Sequence, residues 1–270
     1  MAWFMGIDIG SGTSKGVITK DGKLSAYHLL PSGINYKITA GSLREELLAK
    51  AGLSPEDIAC TIATGHGADN IPFSNERVAD IRCCARGISS IFPSVRTVID
   101  IQGMSSQVIR LNEKGQVINF VVSEKCAAGS GRFLDVIANV LRIDLKDFGP
   151  LSLKSESPVA FTTGCAVFGE SEAISRVSEG ASKEDILAGV HKALANKVSA
   201  LVDRVGLEKD CAVSGGGALN VGLIKSVEDR LGIQLLVPSQ PQLVTALGAA
   251  IMAEERHKGE TELNRRVQTV

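Results

Sequence analysis

Aromatic residues make up only 4% of the chain, with a single tryptophan. So few rings weigh against a nucleic-acid binder that works by base stacking. An excess of one charge is also missing: 29 Lys and Arg stand against 30 Asp and Glu, a formal net charge of −1. That balance excludes the basic footprint of a nucleic-acid or anionic-membrane surface. No apolar run approaches the roughly 18 residues of a membrane span. The opening MAWFMGIDIG has neither a basic stretch nor a cleavage site and reads as a first strand, not a signal peptide. Together these absences predict a cytoplasmic protein with neither nucleic acid nor membrane among its partners. The six cysteines contain no C-x-x-C, and in that compartment they read as thiols rather than disulfides. No low-complexity linker divides the 270 residues, which suffice for one large domain or two smaller ones.

What is present begins with a strand (WFMGIDIG), a loop (SGTS), a second strand (KGVITK), a DG turn and a third strand (KLSAYHLL). A helix from Gly41 to Ala51, the strand DIACTIATG, the loop HGADNIPF and a helix over Glu76–Ile88 follow. The pattern then restarts. RTVIDIQGMSSQVIRLNEKGQVINFVV again has an Asp ending an apolar strand, a small-residue turn, a second strand, a KG turn and a third strand. Asp8 falls on Asp100, which predicts a duplicated domain. Further along come a helix carrying Phe133, Leu134, Ile137, Val140 and Leu141, and a loose polar connection, DFGPLSLKSESP. An amphipathic helix spans Lys183–Val205, the strand of DCAVSGGGALN runs into a glycine triplet, and a helix covers Val221–Leu231. A short strand (IQLLVP), a helix beginning near Gln242 and a polar, frayed tail (HKGETELNRRVQTV) complete the chain. Strands alternating with helices define an α/β class.

Two glycine-containing turns carry chemistry. In DIGSGTSK, the backbone of Gly10 and Gly12 can approach an anion closely, and the hydroxyls of Ser11, Thr13 and Ser14 can help cradle phosphates. Lys15 adds a point charge, and Asp8 suits Mg²⁺ or its waters rather than phosphate. In SGGGALN, Gly215, Gly216 and Gly217 present no side chain to obstruct a flat ring or ribose, and Asn220 can hydrogen-bond. Either stretch alone is also consistent with a plain turn. Two Asp-ended hairpins plus the glycine triplet describe a nucleotide clamp, with a cleft between two related halves. Asp8 and Asp100 are its candidate catalytic residues.

Cys126 lies in SEKCAAGSG, just before a helical pattern, and Cys165 in FTTGCAVFGESEAIS, again between small residues and a helical pattern. A helix start carries about half a positive charge and favours a thiolate. Two thiolates from each of two chains would supply the four that a [4Fe–4S] cluster needs. Cys60, Cys83, Cys84 and Cys211 lie in apolar surroundings and read as buried hydrophobes. His28, His66, His191 and His257 carry no role.

The segments MGIDIGSGTSKGVI, KCAAGSGRFLDV, TTGCAVFGESEAIS and ALGAAIMAEE resemble, over nearly the whole chain, the activators of 2-hydroxyacyl-CoA dehydratases. Those activators are close to the ATP-binding subunits of benzoyl-CoA reductases, within the acetate kinase/sugar kinase/heat-shock chaperone/actin superfamily. The resemblance implies a duplicated actin-like (ribonuclease H-like) ATPase fold, two lobes around a nucleotide cleft. Lobe I would comprise residues 1–95 and 245–270, and lobe II residues 96–244. It implies ATP/ADP and Mg²⁺ as ligands, and a homodimer with one [4Fe–4S] cluster on Cys126 and Cys165. It places nucleotide on Asp8–Lys15, on the turn after Asp100 that holds Gly103, on Gly215–Gly217, and near Gln242. An electron from ferredoxin or flavodoxin would pass to an iron–sulfur dehydratase, or to a benzoyl-CoA reductase-type or double-cubane-cluster enzyme. One departure stands out. The family's second phosphate loop usually reads DIGGQD, whereas Asp100 to Ser105 here is DIQGMS, with Gln102, Met104 and Ser105 replacing glycine, glutamine and acid. Methionine cannot orient a water, so hydrolysis is expected to be slow, positioned by another group, or dependent on partner docking. The competing readings are a cluster-free small-molecule kinase and a non-catalytic nucleotide sensor.

Overall fold

The structure is a computed structural model that describes residues 2–123, 130–161 and 166–268. The chain divides into two compact units, residues 1–93 with 242–270 and residues 94–241.

In the first unit, β1 (Trp3–Ile9), β2 (Thr13–Lys20) and β3 (Lys23–Pro31) form an antiparallel meander. The turn between β2 and β3 uses Asp21 and Gly22, both at positive φ, as the DG pair predicts. β4 (Ile58–Thr64) adds parallel to β1, and the two-residue β5 (Glu76–Arg77) follows it, giving the order β3-β2-β1-β4-β5. Helix α1 (Tyr36–Ala51) starts five residues before the expected Gly41, because Asn35 Oδ1 accepts a hydrogen bond from Ile38 N. It buries Leu43, Leu47 and Leu48. Helix α2 (Asp80–Ile91) starts later than expected, since Glu76 and Arg77 are taken by the sheet.

The second unit repeats the plan. β6 (Thr97–Ile101), β7 (Ser106–Leu111) and β8 (Val117–Val122) form a second meander, and a four-residue strand, β9 (Cys211–Ser214), joins β6 in parallel. Helix α3 (Gly131–Leu141) buries Phe133, Leu134, Ile137 and Leu141. The stretch expected to be a loose connection contains a helix, α4 (Leu145–Ser152), whose Phe148 is fully buried. Helix α5 (Ala166–Ser178) precedes α6 (Lys183–Val205), which is N-capped by Ser182 Oγ on Asp185 N at 3.1 Å. Helix α7 (Val221–Leu231) follows the glycine triplet. The expected strand IQLLVP is reduced to a single bridge between Leu236 and Ala212.

Helix α8 (Val244–Gln268) returns to the first unit. It runs on through the stretch expected to fray, where the His257 ring lies 5.6 Å from that of Phe4 and Arg256 pairs with Glu260. Small residues let its first half approach the unit very closely. A Cβ on Gly6 would stand 2.0 Å from the Ala246 carbonyl oxygen, and one on Gly248 1.8 Å from that of Cys83. Further along α8, Glu254 is 4% exposed and accepts from Gly22 N at 2.8 Å, and Arg256 pairs with Glu76. Among the described residues, no helix is long and apolar enough to cross a membrane.

Candidate functional site: two aspartate-ended hairpins

Asp8 stands near the end of β1, 7% exposed, opposite Lys15 in the antiparallel register and Thr64 in the parallel one. Lys15 Nζ lies 3.1 Å from Asp8 Oδ2, so the cation expected to meet phosphate is paired with the carboxylate expected to meet Mg²⁺. The intervening turn is braced by Ser32. Its Oγ donates to the Gly10 carbonyl oxygen at 2.6 Å and lies 2.8 Å from Ser14 Oγ, while its N donates to the Gly12 carbonyl oxygen at 3.0 Å. Ser14 is fully buried, so its hydroxyl holds the turn, whereas Ser11 is only partly buried and Gly12 is exposed. Nothing lies within 4 Å of a Cβ placed on Gly12, and that side of the turn is open to a ligand.

Asp100 repeats the position near the end of β6, with Gln107 and Ser214 as its register partners. It is 1% exposed and carries different company. Its Oδ2 accepts from Gln102 Nε2 at 2.7 Å and Gln107 Nε2 at 2.9 Å, and its Oδ1 accepts from Ser214 Oγ at 2.9 Å. Gln107 thus occupies the place of Lys15: among the described residues, one aspartate has a cationic neighbour where the other has a neutral donor. The turn 102–105 closes on itself, with Gln102 N donating to the Ser105 carbonyl oxygen at 2.9 Å and Ser105 Oγ to Gln102 Oε1 at 3.2 Å. Met104 is half exposed.

The glycine triplet folds against this aspartate. Gly215 has φ +83, and a Cβ there would stand 2.7 Å from Asp100 Oδ1 and 2.4 Å from the Ile101 carbonyl oxygen. A Cβ on Gly217 would meet Ile101 Cγ2 at 2.3 Å, whereas Gly216 is exposed. The first unit has the same device, which sequence reading missed. Gly65, at φ +84, bears on Asp8 Oδ1 and the Ile9 carbonyl oxygen, and Gly67 on Ile9 Cγ2. T-G-H-G therefore corresponds to S-G-G-G, with exposed His66 in the place of Gly216. Asn220 serves α7, its Oδ1 accepting from Leu223 N at 3.0 Å, while its Nδ2 is enclosed. Gln242 follows Pro241, whose carbonyl oxygen accepts from Gly215 N at 3.1 Å.

Cys126 and Cys165 lie outside the described residues, and the structure gives their neighbours. The described cysteines do not suit a cluster: all four are buried, and burial raises the Cys60 thiol and pushes those of Cys83 and Cys211 up to about 12. The helices behind the two remaining cysteines fit one better. α3 starts five residues after Cys126 and α5 one residue after Cys165. They meet close to those starts, since a Cβ on Gly169 would stand 2.3 Å from Phe133 Cε2. The N-terminus of α3 also touches the second turn. Gly131 N donates to the Gln102 carbonyl oxygen at 2.8 Å, and Arg132 N to that of Gly103 at 3.0 Å.

Two repeats, each with an aspartate at the end of its central strand and a positive-φ glycine folded against the carboxylate, define the duplicated actin-like ATPase fold. The chain belongs to the BadF/BadG/BcrA/BcrD ATPase family, whose family model matches residues 5–253. It is 41% identical over 257 residues to the 2-hydroxyisocaproyl-CoA dehydratase activator of Clostridioides difficile, covering 94% of this chain and 96% of that protein. It is 42% identical over 254 residues to the (R)-2-hydroxyglutaryl-CoA dehydratase activating ATPase of Acidaminococcus fermentans, covering 93% and 97%. The solved structure of the activator of the 2-hydroxyisocaproyl-CoA dehydratase from Clostridium difficile with bound ADPNP superposes with a TM-score of 0.91 at 39% identity, covering 96% and 97%.

Proposed function

We propose that this protein is an ATP-dependent reductive activator: a homodimeric, cytoplasmic ATPase that delivers a low-potential electron to an iron–sulfur partner such as a 2-hydroxyacyl-CoA dehydratase. The observation that carries the reading is the meeting of α3 and α5 at Phe133 and Gly169, behind the two cysteine segments, in a chain of this ATPase family. The dehydratase activators at 41% and 42% identity support the choice of partner.

In this reading Asp8 holds Mg²⁺ or its waters, and Lys15 with the amides of Gly10–Ser14 receives phosphate oxygens. The turn at Gly103 receives phosphate in the second unit. Gly215–Gly217 leave a flat face for ribose and base, and Gln242 stands toward the adenosine. Cys126 and Cys165 hold a [4Fe–4S] cluster together with the same pair from a second copy. When bound, the cluster supplies one-electron redox chemistry, with ferredoxin or flavodoxin as the donor. The ends of α3 and α5 orient the thiolates and favour their negative charge.

The test is anaerobic purification followed by mass determination, iron and sulfide analysis, and EPR after reduction, on wild type, Cys126→Ser and Cys165→Ser. About four irons per dimer are expected, lost in both variants. A folded monomer, or a folded protein without iron, overturns the reading.

A further inference from the structure

We infer that Gln102 is a positioning residue that ties the Asp100 carboxylate to the first turn of α3, so that a ligand arriving at Asp100 is felt at the helix leading from Cys126. The inference rests on the reading above only in taking the turn after Asp100 as a nucleotide phosphate site.

Among the described residues, neutral donors from Gln102, Gln107 and Ser214 reach the Asp100 carboxylate, but they are not equally placed. Gln107 is 2% exposed and Ser214 fully buried, whereas Gln102 is only half-buried at the surface of the site. A ligand or its water shell that competes for Asp100 Oδ2 therefore meets Gln102 first.

The other end of Gln102 reaches the helix. The first amides of a helix have no partner inside it. In α3 the Ser130 carbonyl oxygen accepts from Phe133 N at 3.1 Å, and the first two amides look elsewhere. The carbonyl oxygens of Gln102 and Gly103 take Gly131 N and Arg132 N instead. Gln102 thus joins Asp100 through its side chain, Ser105 through its backbone N and Oε1, and Gly131 through its carbonyl. Releasing the side chain from Asp100 loosens the turn whose carbonyls cap α3. The side chain on or off the carboxylate gives the two discrete arrangements that a switch requires.

The two arms can be cut separately. Gln102→Ala removes the side-chain arm and keeps the carbonyl. Gly131→Pro removes the amide that Gln102 caps while keeping the helix, because proline is accepted at the first helical position. Ser130 before it is already extended, with φ −125 and ψ 171, as a residue preceding proline must be. Gly131→Ala keeps the amide and serves as control.

The experiment is hydrogen–deuterium exchange over residues 131–141 in the full-length protein, with and without MgADP, alongside calorimetric MgADP affinity. Wild type and Gly131→Ala should change exchange in α3 on binding, by about threefold or more. Gln102→Ala should bind MgADP equally or more tightly while losing most of that change, and Gly131→Pro should keep its affinity and lose the change. Tighter binding with a weaker response is not what a merely structural role produces. A wild type that binds without a change in α3, or variants that respond as wild type does, overturns the link alone. A folded wild type that binds no MgADP overturns the nucleotide reading and the link with it. Neither exchange nor affinity depends on whether a cluster is present.

Discussion

Gly65 bears directly on Asp8: a Cβ added to it would stand 2.2 Å from Asp8 Oδ1. No side chain fits there, and φ +84 would be strained for any residue that carried one. Left-handed backbone alone costs an alanine roughly 1–2 kcal/mol. Gly65→Ala should therefore lower the urea midpoint by more than that strain alone and weaken nucleotide binding by displacing Asp8. Gly12→Ala is the contrast, since its Cβ meets nothing within 4 Å. Its stability should stay within about 0.5 kcal/mol of wild type. Its affinity for a fluorescent ADP should fall about tenfold, or roughly 1.4 kcal/mol. Normal ADP binding by Gly12→Ala would show that phosphate does not approach this turn.

Lys15 and Asp8 form an ion pair whose side chains are 15% and 10% exposed. Lys15→Met leaves the carboxylate enclosed without its cation, and the metal-free protein should lose about 1–3 kcal/mol in urea denaturation. If Asp8 accepts a divalent ion, Mg²⁺ should restore part of that loss. The double variant Lys15→Met, Asp8→Asn should not respond to Mg²⁺. An equal response in both would place the metal elsewhere.

His191 is fully enclosed in α6 with its ring 4.9 Å from that of Phe148, and neither ring nitrogen has a partner among the described residues. Burial lowers its pKa from 6.5 to about 3. Between those values the unfolded chain binds a proton that the folded chain excludes. This contribution is complete above about pH 6.5 and shrinks as pH falls toward 3, by up to about 1.4 kcal/mol per unit. Urea midpoints from pH 7 to pH 4 should fall less steeply in His191→Leu than in wild type. At pH 7 that variant should be as stable as wild type or more so, because it removes two unpaired polar atoms. An unchanged pH slope would mean that the imidazole is protonated or solvated in the folded state.

Met104 is half exposed on the turn after Asp100. A thioether neither orients a water nor binds phosphate well. Wild type without a partner should release phosphate slowly, and Met104→Gln should raise the rate about tenfold or more by ordering the attacking water. Equal steady-state rates in the two proteins would show that another group positions the water.

What could be read in advance was what depends on near neighbours in the chain. The DG and KG turns announce their hairpins, and Gly22 and Gly115 take the positive φ that such turns need. The match of Asp8 to Asp100 was visible because each ends an apolar strand before a small-residue turn. The pairing of Gly65 with Asp8 was not visible, because it arises from parallel strands whose partners, Asp8 and Thr64, are far apart in sequence. His66 also hides the likeness of T-G-H-G to S-G-G-G. The ion pair of Lys15 with Asp8 follows from the hairpin register, which sets the two residues directly opposite each other. The polar surfaces of α4 and the end of α8 concealed helices that packing and ion pairs sustain. Cys126 and Cys165 fall outside the described residues and remain a proposal.

The second unit is one unbroken stretch of chain, residues 94–241, whereas the first needs both the opening residues and those from 242 onward. Synthesis on a ribosome proceeds in one direction, so the later-made half can consolidate while the earlier-made one still waits for its last helix. Until α8 emerges, Gly6 of β1 and Gly87 of α2 have nothing to close against, and the nascent meander exposes the apolar face that Ala246, Ala249 and Ala250 later cover. Shortening the chain within α8 should therefore damage the half made first more than the half made next.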